Sequence, residues 1–356
     1  ERISLYLHTM RRQAEQLSVA AQGLKFTSFA VGGGTPLILD EGQLEELFCL
    51  AELFGVHPSR VFTSVETSPE YTQKSVLRQL RARGVERLSM GVQSFNETEL
   101  KKLKRRPGLG TVVGALENIV EAGFPQFNLD LIYGIEGQTV ESFMRSLNTA
   151  LTYRPNELFI YPLYVRPGTR IDVRSTDDIG YAIYKSAREL LVGQGFVQTS
   201  MRRFVRRETT ETEFSCGDEV MLSCGAGGRS YLGNLHYATP YAVRQQAIAD
   251  EIDHYIRTTD FMTAANGFLL STEEMQIRFI IKNLMYHRGV DLAEYEKRFG
   301  EKPDRNLFRE FTDRGWIEET GRIVRLTEEG MAYSDYIGQA FISPAVRKLM
   351  SEYVYP

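Results

Sequence analysis

The run Phe26-Thr27-Ser28-Phe29-Ala30-Val31, closed at once by Gly32-Gly33-Gly34-Thr35-Pro36, decides the fold class. Phe26–Val31 is a short apolar run that reads as a strand, and three glycines follow it directly. Working outward, Asp40 opens a helix with Gln43 three residues on, a capping-box pattern. Leu44, Leu47, Phe48 and Ala51 line one face of that helix, and Gly55 ends it. The pattern then repeats. Strands are expected at Arg60–Val65, Arg87–Val92, Phe127–Ile132, Glu157–Val165 and Phe196–Phe204. Helices are expected near Thr72–Arg83, Thr111–Ala122, Val140–Tyr153 and Asp178–Val192. Alternation at about 30 residues per unit implies a parallel sheet with helices packed outside it. Roughly six units are present, which points to a partial (β/α)6 TIM-like barrel, with a doubly wound sheet as the competing architecture. Either way, function belongs at the C-terminal ends of the strands.

The character of the chain changes near residue 260. Helices are expected at Thr272–His287, Leu292–Phe299 and Asp304–Arg314, followed by a hairpin of Ile317–Glu319 and Ile323–Leu326 around Gly321. That order resembles a winged helix, so the expected domains are 1–240 and a mainly helical, winged-helix-like 241–356. Residues 271–356 carry 13 Lys+Arg against 15 Asp+Glu, a difference of −2, so a basic recognition face is not expected and no nucleic-acid partner is assigned. The whole chain, 356 residues with 42% hydrophobic and 25% charged residues, has the balance of a globular protein. No run of about 18 apolar residues suggests a membrane span. Three cysteines, Cys49, Cys216 and Cys224, are too few for a disulfide scaffold and match no CxxC-type metal pair; with no leader pattern, a cytoplasmic location is expected.

The strand ends carry the chemistry. Gly32, Gly33 and Gly34 leave the backbone bare, so its N–H and C=O groups can approach a ligand; the alternative is a tight turn. Glu66, in Val65-Glu66-Thr67-Ser68-Pro69, could accept the hydroxyls of a ribose or be a solvated loop residue. Gln93, in Gly91-Val92-Gln93-Ser94-Phe95, offers an amide donor and acceptor to a polar ligand edge. Arg105 closes the basic run Lys101–Arg106, most of which reads as a solvated helix face. Asn128 and Asp130 share one face of their strand while Phe127, Leu129 and Leu131 share the other. Outer helices bury one face, so the polar pair is expected inside the barrel, where buried polar groups need partners. Tyr161-Pro162-Leu163-Tyr164 and Arg166-Pro167-Gly168-Thr169 complete the series.

Taken in order, Gly32-Gly33-Gly34-Thr35-Pro36, the Glu66 block, Gly91-Val92-Gln93-Ser94-Phe95, Asn128-x-Asp130-Leu131-Ile132-Tyr133-Gly134, Gln138-Thr139 and the Pro167-Gly168-Thr169 turn resemble the radical SAM enzymes related to oxygen-independent coproporphyrinogen III oxidase, the HemN-like family. The resemblance runs over nearly the whole chain and is specific in its ordered set, each motif alone being weak. It implies S-adenosylmethionine (SAM) held against a [4Fe–4S] cluster, with three cysteines of a CxxxCxxC loop on three irons. It also implies that one electron cleaves SAM to a 5′-deoxyadenosyl radical that abstracts a substrate hydrogen. By resemblance, Gly32, Gly33, Gly34 and Thr35 contact the methionine end of SAM, Glu66 and Asp130 the ribose side, and Gln93 and Arg105 further parts of it.

Two departures matter. CxxxCxxC is absent, and the resemblance places it upstream of Glu1, where the chain opens without an initiator Met inside a helical pattern; no metal ligand is expected within the chain, and Cys49 reads as core. The glycine-rich Ser223–Tyr231 aligns with a stretch that lies by a second SAM molecule in the oxidase. Tyr161, Gly225, Gly227, Arg229 and Ser230 are therefore candidates for a second SAM or the substrate, a bulge or turn being the alternative. The HNxxYW motif of the heme-chaperone relatives is replaced by Thr212-Glu213-Phe214-Ser215-Cys216-Gly217. His236 could shuttle a proton or be structural. The expected function is a radical SAM enzyme acting on a small-molecule substrate, with flavodoxin or ferredoxin as electron donor. C-methylation or cyclopropanation with two SAM molecules is preferred. The alternatives are porphyrinogen decarboxylation and a non-catalytic heme or cluster carrier.

Overall fold

In this computed structural model, residues 2–105, 108–165, 176–207, 220–240, 242 and 244–353 are described. The Pro167-Gly168-Thr169 turn, the Thr212–Gly217 stretch and Cys216 lie outside them. Five strands pair in parallel and in chain order: β1 (Ser28–Val31), β2 (Phe62–Thr67), β3 (Arg87–Gln93), β4 (Gln126–Tyr133) and β5 (Glu157–Pro162). α1 (Arg2–Ala20) precedes them, and α2 (Glu41–Glu52), α3 (Lys74–Ala82), the short α4 (Glu97–Lys102), α5 (Leu109–Ala122) and α6 (Val140–Thr152) fill the crossovers. Sequential neighbours joined by right-handed crossovers put every helix on one face and curl the sheet, whereas a doubly wound sheet reverses its strand order. The architecture is therefore the partial barrel.

The sixth unit differs from the expectation. α7 (Asp177–Gly193) is followed not by one strand over Phe196–Phe204 but by two, β6 (Phe196–Gln198) and β7 (Arg203–Arg206). They are antiparallel to each other, and β7 pairs antiparallel with β5, so β6 reaches the sheet only through β7. The cause is a tight turn at Thr199–Arg202, closed by the Thr199 N–H donating to Arg203 O at 2.9 Å and the Arg203 N–H to Ser200 Oγ at 3.2 Å.

Local rules explain the helices. Asp40 and Gln43 form both halves of the capping box on α2, and Gly123 ends α5 in the left-handed conformation with φ 64°. The outer core joins Leu44, Phe48, Leu77, Leu80, Leu116, Ile119, Phe143 and Leu147 of the helices to Val65, Leu88, Met90, Leu129, Leu131, Leu158 and Ile160 of the strands. Each such fully buried side chain contributes about 1.5–3 kcal/mol.

A second sheet, β8 (Val220–Met221), β9 (Arg229–Leu232), β10 (Leu235–Ala238) and β11 (Gly267–Leu269), is wholly antiparallel and escaped the sequence reading. It crosses the expected boundary at residues 240 and 241. Between β10 and β11 runs α8 (Gln245–Arg257), against which α1 docks: Thr9 Oγ1 donates to Ile256 O at 3.0 Å and Tyr255 Oη to Gln13 Oε1 at 2.6 Å. The remainder is α9 (Thr272–Leu284), β12 (Val290–Asp291), α10 (Leu292–Phe299), α11 (Asn306–Asp313), β13 (Ile317–Thr320), β14 (Ile323–Leu326), α12 (Glu328–Ala332), α13 (Ser334–Ala340) and α14 (Pro344–Glu352). Its three strands, in the order β12-β14-β13, add β12 to the expected hairpin and share a core of Phe279, Leu284, Phe308, Phe311, Val324 and Ile337 with these helices. α9 stops short of His287 because Tyr286 bridges to Ser200 and the His287 N–H donates to Thr199 O at 2.9 Å, tying this piece to the β6–β7 turn. Among the described residues no helix is long and apolar enough to cross a membrane.

Inside the barrel, Glu157 is 1% exposed and sits between two arginines: Arg87 at 2.9 Å and Arg203 at 2.7 Å. Burial alone would raise its pKa, but the two guanidinium groups prevail and hold it below the usual carboxylate range. Glu157→Ala leaves both cations buried without a counter-charge and is expected to cost about 3–5 kcal/mol in urea unfolding. A loss below about 1 kcal/mol would show that the triad does not hold the strands together.

Candidate functional site at the strand C-termini

The alternation of β4 sets the site. Phe127, Leu129, Leu131 and Tyr133 face the outer helices, so Asn128 and Asp130 face the lumen. Parallel register places Ser89 of β3 and Glu157 of β5 on either side of Asn128, and Gly91 and Phe159 on either side of Asp130. Asn128 is 1% exposed; its Nδ2 donates to Ser89 Oγ and to Asp130 Oδ1, both at 2.7 Å. Its Oδ1 is buried with no partner. A buried acceptor left without a donor costs about 1–3 kcal/mol, which a ligand N–H or O–H recovers.

Asp130 is pushed up to about 6, first by burial and, to a lesser degree, by the charges of Glu66 and Glu157, against the Asn128 hydrogen bond and the charge of Arg87. Tyr161 is raised by burial and then by Asp130; its ring stacks on Phe159 at 5.6 Å. Asp130, Glu66 and Tyr161 thus share one electrostatic environment.

The first strand end closes on the second. Gly33 and Gly34 have φ of 82° and 63°, conformations that suit glycine, and the Gly33 N–H donates to Glu66 Oε2 at 3.3 Å. Gly32 is required for another reason: a Cβ there would lie 2.9 Å from Glu66 Cδ. Thr35 precedes the turn Pro36–Ile38; its carbonyl accepts from the Ile38 N–H at 3.1 Å, and its side chain makes no cap bond. At the third strand end, a register shift between Gly91 and Gln93 accompanies a φ of 72° at Gln93, a strained conformation for a residue with a side chain. Gln93 folds back over Gly91, where a Cβ would stand 2.5 Å from its Nε2. Arg105 is exposed and lines a cleft with Ser68, Pro69, Glu70, Gly91 and Val92. A strained residue at a strand end, as at Gln93, is a mark of a functional site.

The structure therefore brings Gly32, Gly33, Glu66, Asp130 and Tyr161 to one end of the barrel, with Gln93 and Arg105 around the adjoining cleft. Gly225, Gly227, Arg229 and Ser230 lie on the second sheet and its preceding turn instead. The Gly225 N–H donates to Gln13 Oε1 at 2.8 Å, the Ala226 N–H to Tyr6 Oη at 2.9 Å and the Gly227 N–H to Thr239 Oγ1. A Cβ on Gly225 would lie 2.8 Å from Tyr6 Oη, so this glycine admits α1. Ser230, 1% exposed, accepts from the Ser223 N–H at 3.1 Å. These backbone donors are engaged within the protein. His236 is buried, with its Nε2 unpartnered; burial, then the charge of Arg278, lowers its pKa against the Gly233 backbone bond. The Cys224 thiol is pushed up to about 12 by burial, which disfavours the thiolate. Among the described residues no group of three His, Cys, Asp or Glu could hold a metal.

Sequence reasoning missed Arg87, Glu157, Arg203 and Ser89, which floor the lumen. The signal was present: Arg87, Ser89 and Gly91 alternate on β3 as Asn128 and Asp130 do on β4.

Two family models match the chain: the radical SAM superfamily over residues 3–150 and the HemN C-terminal domain over residues 270–333. Members of the superfamily use a [4Fe–4S] cluster and S-adenosylmethionine. An oxygen-independent coproporphyrinogen III oxidase of Salmonella typhimurium is 35% identical over 292 residues, 76% of this chain and 62% of the relative. A heme chaperone HemW of Bacillus subtilis is 27% identical over 334 residues, 88% of this chain and 84% of the relative. The solved structure of coproporphyrinogen III oxidase (HemN) from Escherichia coli, a radical SAM enzyme, superposes with a TM-score of 0.80 over 95% of this chain and 83% of that one, at 22% identity. That likeness establishes the fold.

Asp130 gives a pH test. Its pKa is raised on folding, so the native state binds the extra proton between about pH 4 and 6 and stability falls as pH rises through that window, then levels off. The shift corresponds to at most about 2–3 kcal/mol. Asp130→Asn is expected to remove that slope from urea-derived stabilities. An identical slope in the variant would mean that Asp130 titrates normally.

Proposed function

Since the chain belongs to the radical SAM family, in its HemN-like branch, we propose that it binds SAM at the C-terminal ends of β1–β4 and acts on a carboxylate-bearing tetrapyrrole in a porphyrinogen-type oxidative decarboxylation. The observation that carries the site is the buried row Asn128–Asp130, with its unpartnered Oδ1, beside the bare backbone of Gly32–Gly34 and the Glu66 carboxylate. These residues fit SAM by their chemistry. Its ribose hydroxyls and adenine amine are donors for Glu66, Asp130 and Asn128 Oδ1, and the glycines leave room for its methionine end. Gln93 and Arg105 flank the same mouth and suit its polar edges.

Held by these residues beside a reduced [4Fe–4S] cluster, SAM would supply radical hydrogen abstraction. The protein's own part is to orient and to exclude water. The apolar outer core and the polar floor hold the strand ends, and Asp130 at a pKa of about 6 is largely ionised at neutral pH and accepts a hydroxyl. Cluster ligands do not come from Cys49 or Cys224 in this reading, and a small iron–sulfur or flavin protein donates the electron. A cytoplasmic location belongs to the same reading.

The preference for C-methylation or cyclopropanation is withdrawn. The relatives above carry names of porphyrinogen oxidation and heme handling, and neither name is of alkyl transfer. A heme-binding role is the second reading, favoured by the 88% coverage of this chain in the match to HemW of Bacillus subtilis.

Full-length protein, reconstituted anaerobically with iron, sulfide, dithionite and SAM, is expected to release 5′-deoxyadenosine, and carbon dioxide when given coproporphyrinogen III. No 5′-deoxyadenosine together with a stoichiometric Soret shift on hemin titration would replace the enzyme by the carrier. Asp130→Ala is expected to weaken SAM binding about tenfold or more in calorimetry, the loss of a charge-assisted hydrogen bond. Unchanged affinity would remove Asp130 from the site.

A further inference from the structure

The mouth of the barrel contains a buried carboxylate to which the proposed chemistry gives no task. Glu99 lies in α4 and is 4% exposed. Its Oε2 accepts from Ser94 Oγ at 2.5 Å and from Gln138 Nε2 at 2.9 Å, and its Oε1 accepts from Ser142 Oγ at 2.7 Å. All of these donors are neutral side chains. Both carboxyl oxygens are thereby satisfied within the protein, one of them by Ser142 in the first turn of α6.

Each partner belongs to a different piece of the mouth. Ser94 follows Gln93, the residue held at a φ of 72°, and Ser94 Oγ also accepts from the Asn96 N–H at 2.9 Å. The neighbouring Phe95 N–H donates to Ser146 Oγ of α6 at 3.1 Å. Gln138 Oε1 accepts from the Gly134 N–H at 2.8 Å, which closes the turn after β4, the strand of Asn128 and Asp130. Arg105 lies three residues beyond the end of α4, and its N–H donates back to Leu100 O of that helix at 3.0 Å. A strained residue keeps its conformation only when its surroundings over-determine it, and Glu99 holds Ser94, the residue that follows Gln93.

We propose that Glu99 is a positioning residue: its carboxylate ties the end of β3 and the turn after β4 to the first turn of α6, and so sets Gln93 and Arg105 for SAM. The proposal rests on the reading that SAM occupies this mouth. It acts through other residues, because all three of the acceptor bonds above are directed into the protein.

The test combines two measurements on full-length protein. In ligand-free protein, Glu99→Ala is expected to speed hydrogen exchange at Asn96 and Gly134 about tenfold or more while far-UV circular dichroism is unchanged. In anaerobically reconstituted protein, the same variant is expected to raise the SAM Kd about tenfold, equivalent to the loss of one charge-assisted hydrogen bond. Glu99→Gln retains one carboxyl-type oxygen, and the hydroxyls of Ser94 and Ser142 can turn to accept from its amide, so it is expected to restore most of both effects. Phe341→Leu, in the separate core of the C-terminal helices, is expected to lower the unfolding temperature without moving the Kd. The proposal is overturned by unchanged exchange in Glu99→Ala, by an unchanged Kd, or by equal Kd shifts in Glu99→Ala and Phe341→Leu. If wild-type protein does not bind SAM, the SAM reading and the ligand role given to Glu99 both fall, while accelerated exchange would still identify the clamp.

Discussion

A polar row enclosed by a curled parallel sheet is the constraint on which the rest of this structure depends. Parallel strands with helices on one face leave the opposite faces looking at one another across a lumen. Apolar side chains alone could fill that space. Here the lumen holds Ser89, Asn128, Asp130, Arg87, Glu157 and Arg203, and every one of them must find a partner there. The lower part succeeds internally, through the Arg87–Glu157–Arg203 triad and the Asn128–Ser89 bond. The upper part does not, because Asn128 Oδ1 has no partner and Asp130 is held at a raised pKa. The transition from satisfied to unsatisfied groups along one strand marks where protein ends and ligand begins.

Much of this was legible in the sequence, for reasons that differ by element. The parallel strands and their helices follow from apolar runs bounded by capping residues and glycines, signals local to a few residues. Asn128 and Asp130 were legible because alternation alone assigns them to the face opposite the core. Gln93 was legible as a polar strand end, but its positive φ was not, since the bulge arises from register with β4. The antiparallel β8–β11 sheet was not legible: its strands have two to four residues, too short to show an alternation, and β11 joins β10 only across the intervening α8. The Gly225–Ser230 stretch shows the same limit. Glycine spacing reports that something approaches the backbone closely, without reporting whether it is a ligand or a helix of the same protein. At Gly32 the approaching group is the side chain of Glu66, and at Gly225 it is Tyr6 of α1.

The family and the geometry narrow different things. The family names a cofactor class and a general chemistry, while the residues of this chain say where such a group could be received. Between them, it is the names of the relatives, porphyrinogen oxidation and heme handling, that set the proposed reaction above alkyl transfer. The connection between the β6–β7 turn and the C-terminal helices adds a further element. Arg202 in that turn pairs with Asp335 at 2.5 Å, and Arg188 of α7 pairs with Glu328, so the last quarter of the chain is fastened to the side of the barrel next to Tyr161.

The docking of α1 on α8 has a consequence for how the molecule is made. Gln13 receives a bond from Tyr255 and one from Gly225, and Thr9 donates to Ile256, contacts separated by more than 200 positions in the chain. α1 thus waits for a helix translated some 240 residues later before its polar face is satisfied. At about 5–20 residues per second, that interval lasts roughly ten seconds to a minute on the ribosome. During it the barrel strands can pair in order while α1 remains only partly docked. Closure of the α1–α8 contact is then a late, long-range step, and it falls after the strand ends of the barrel have already been assembled.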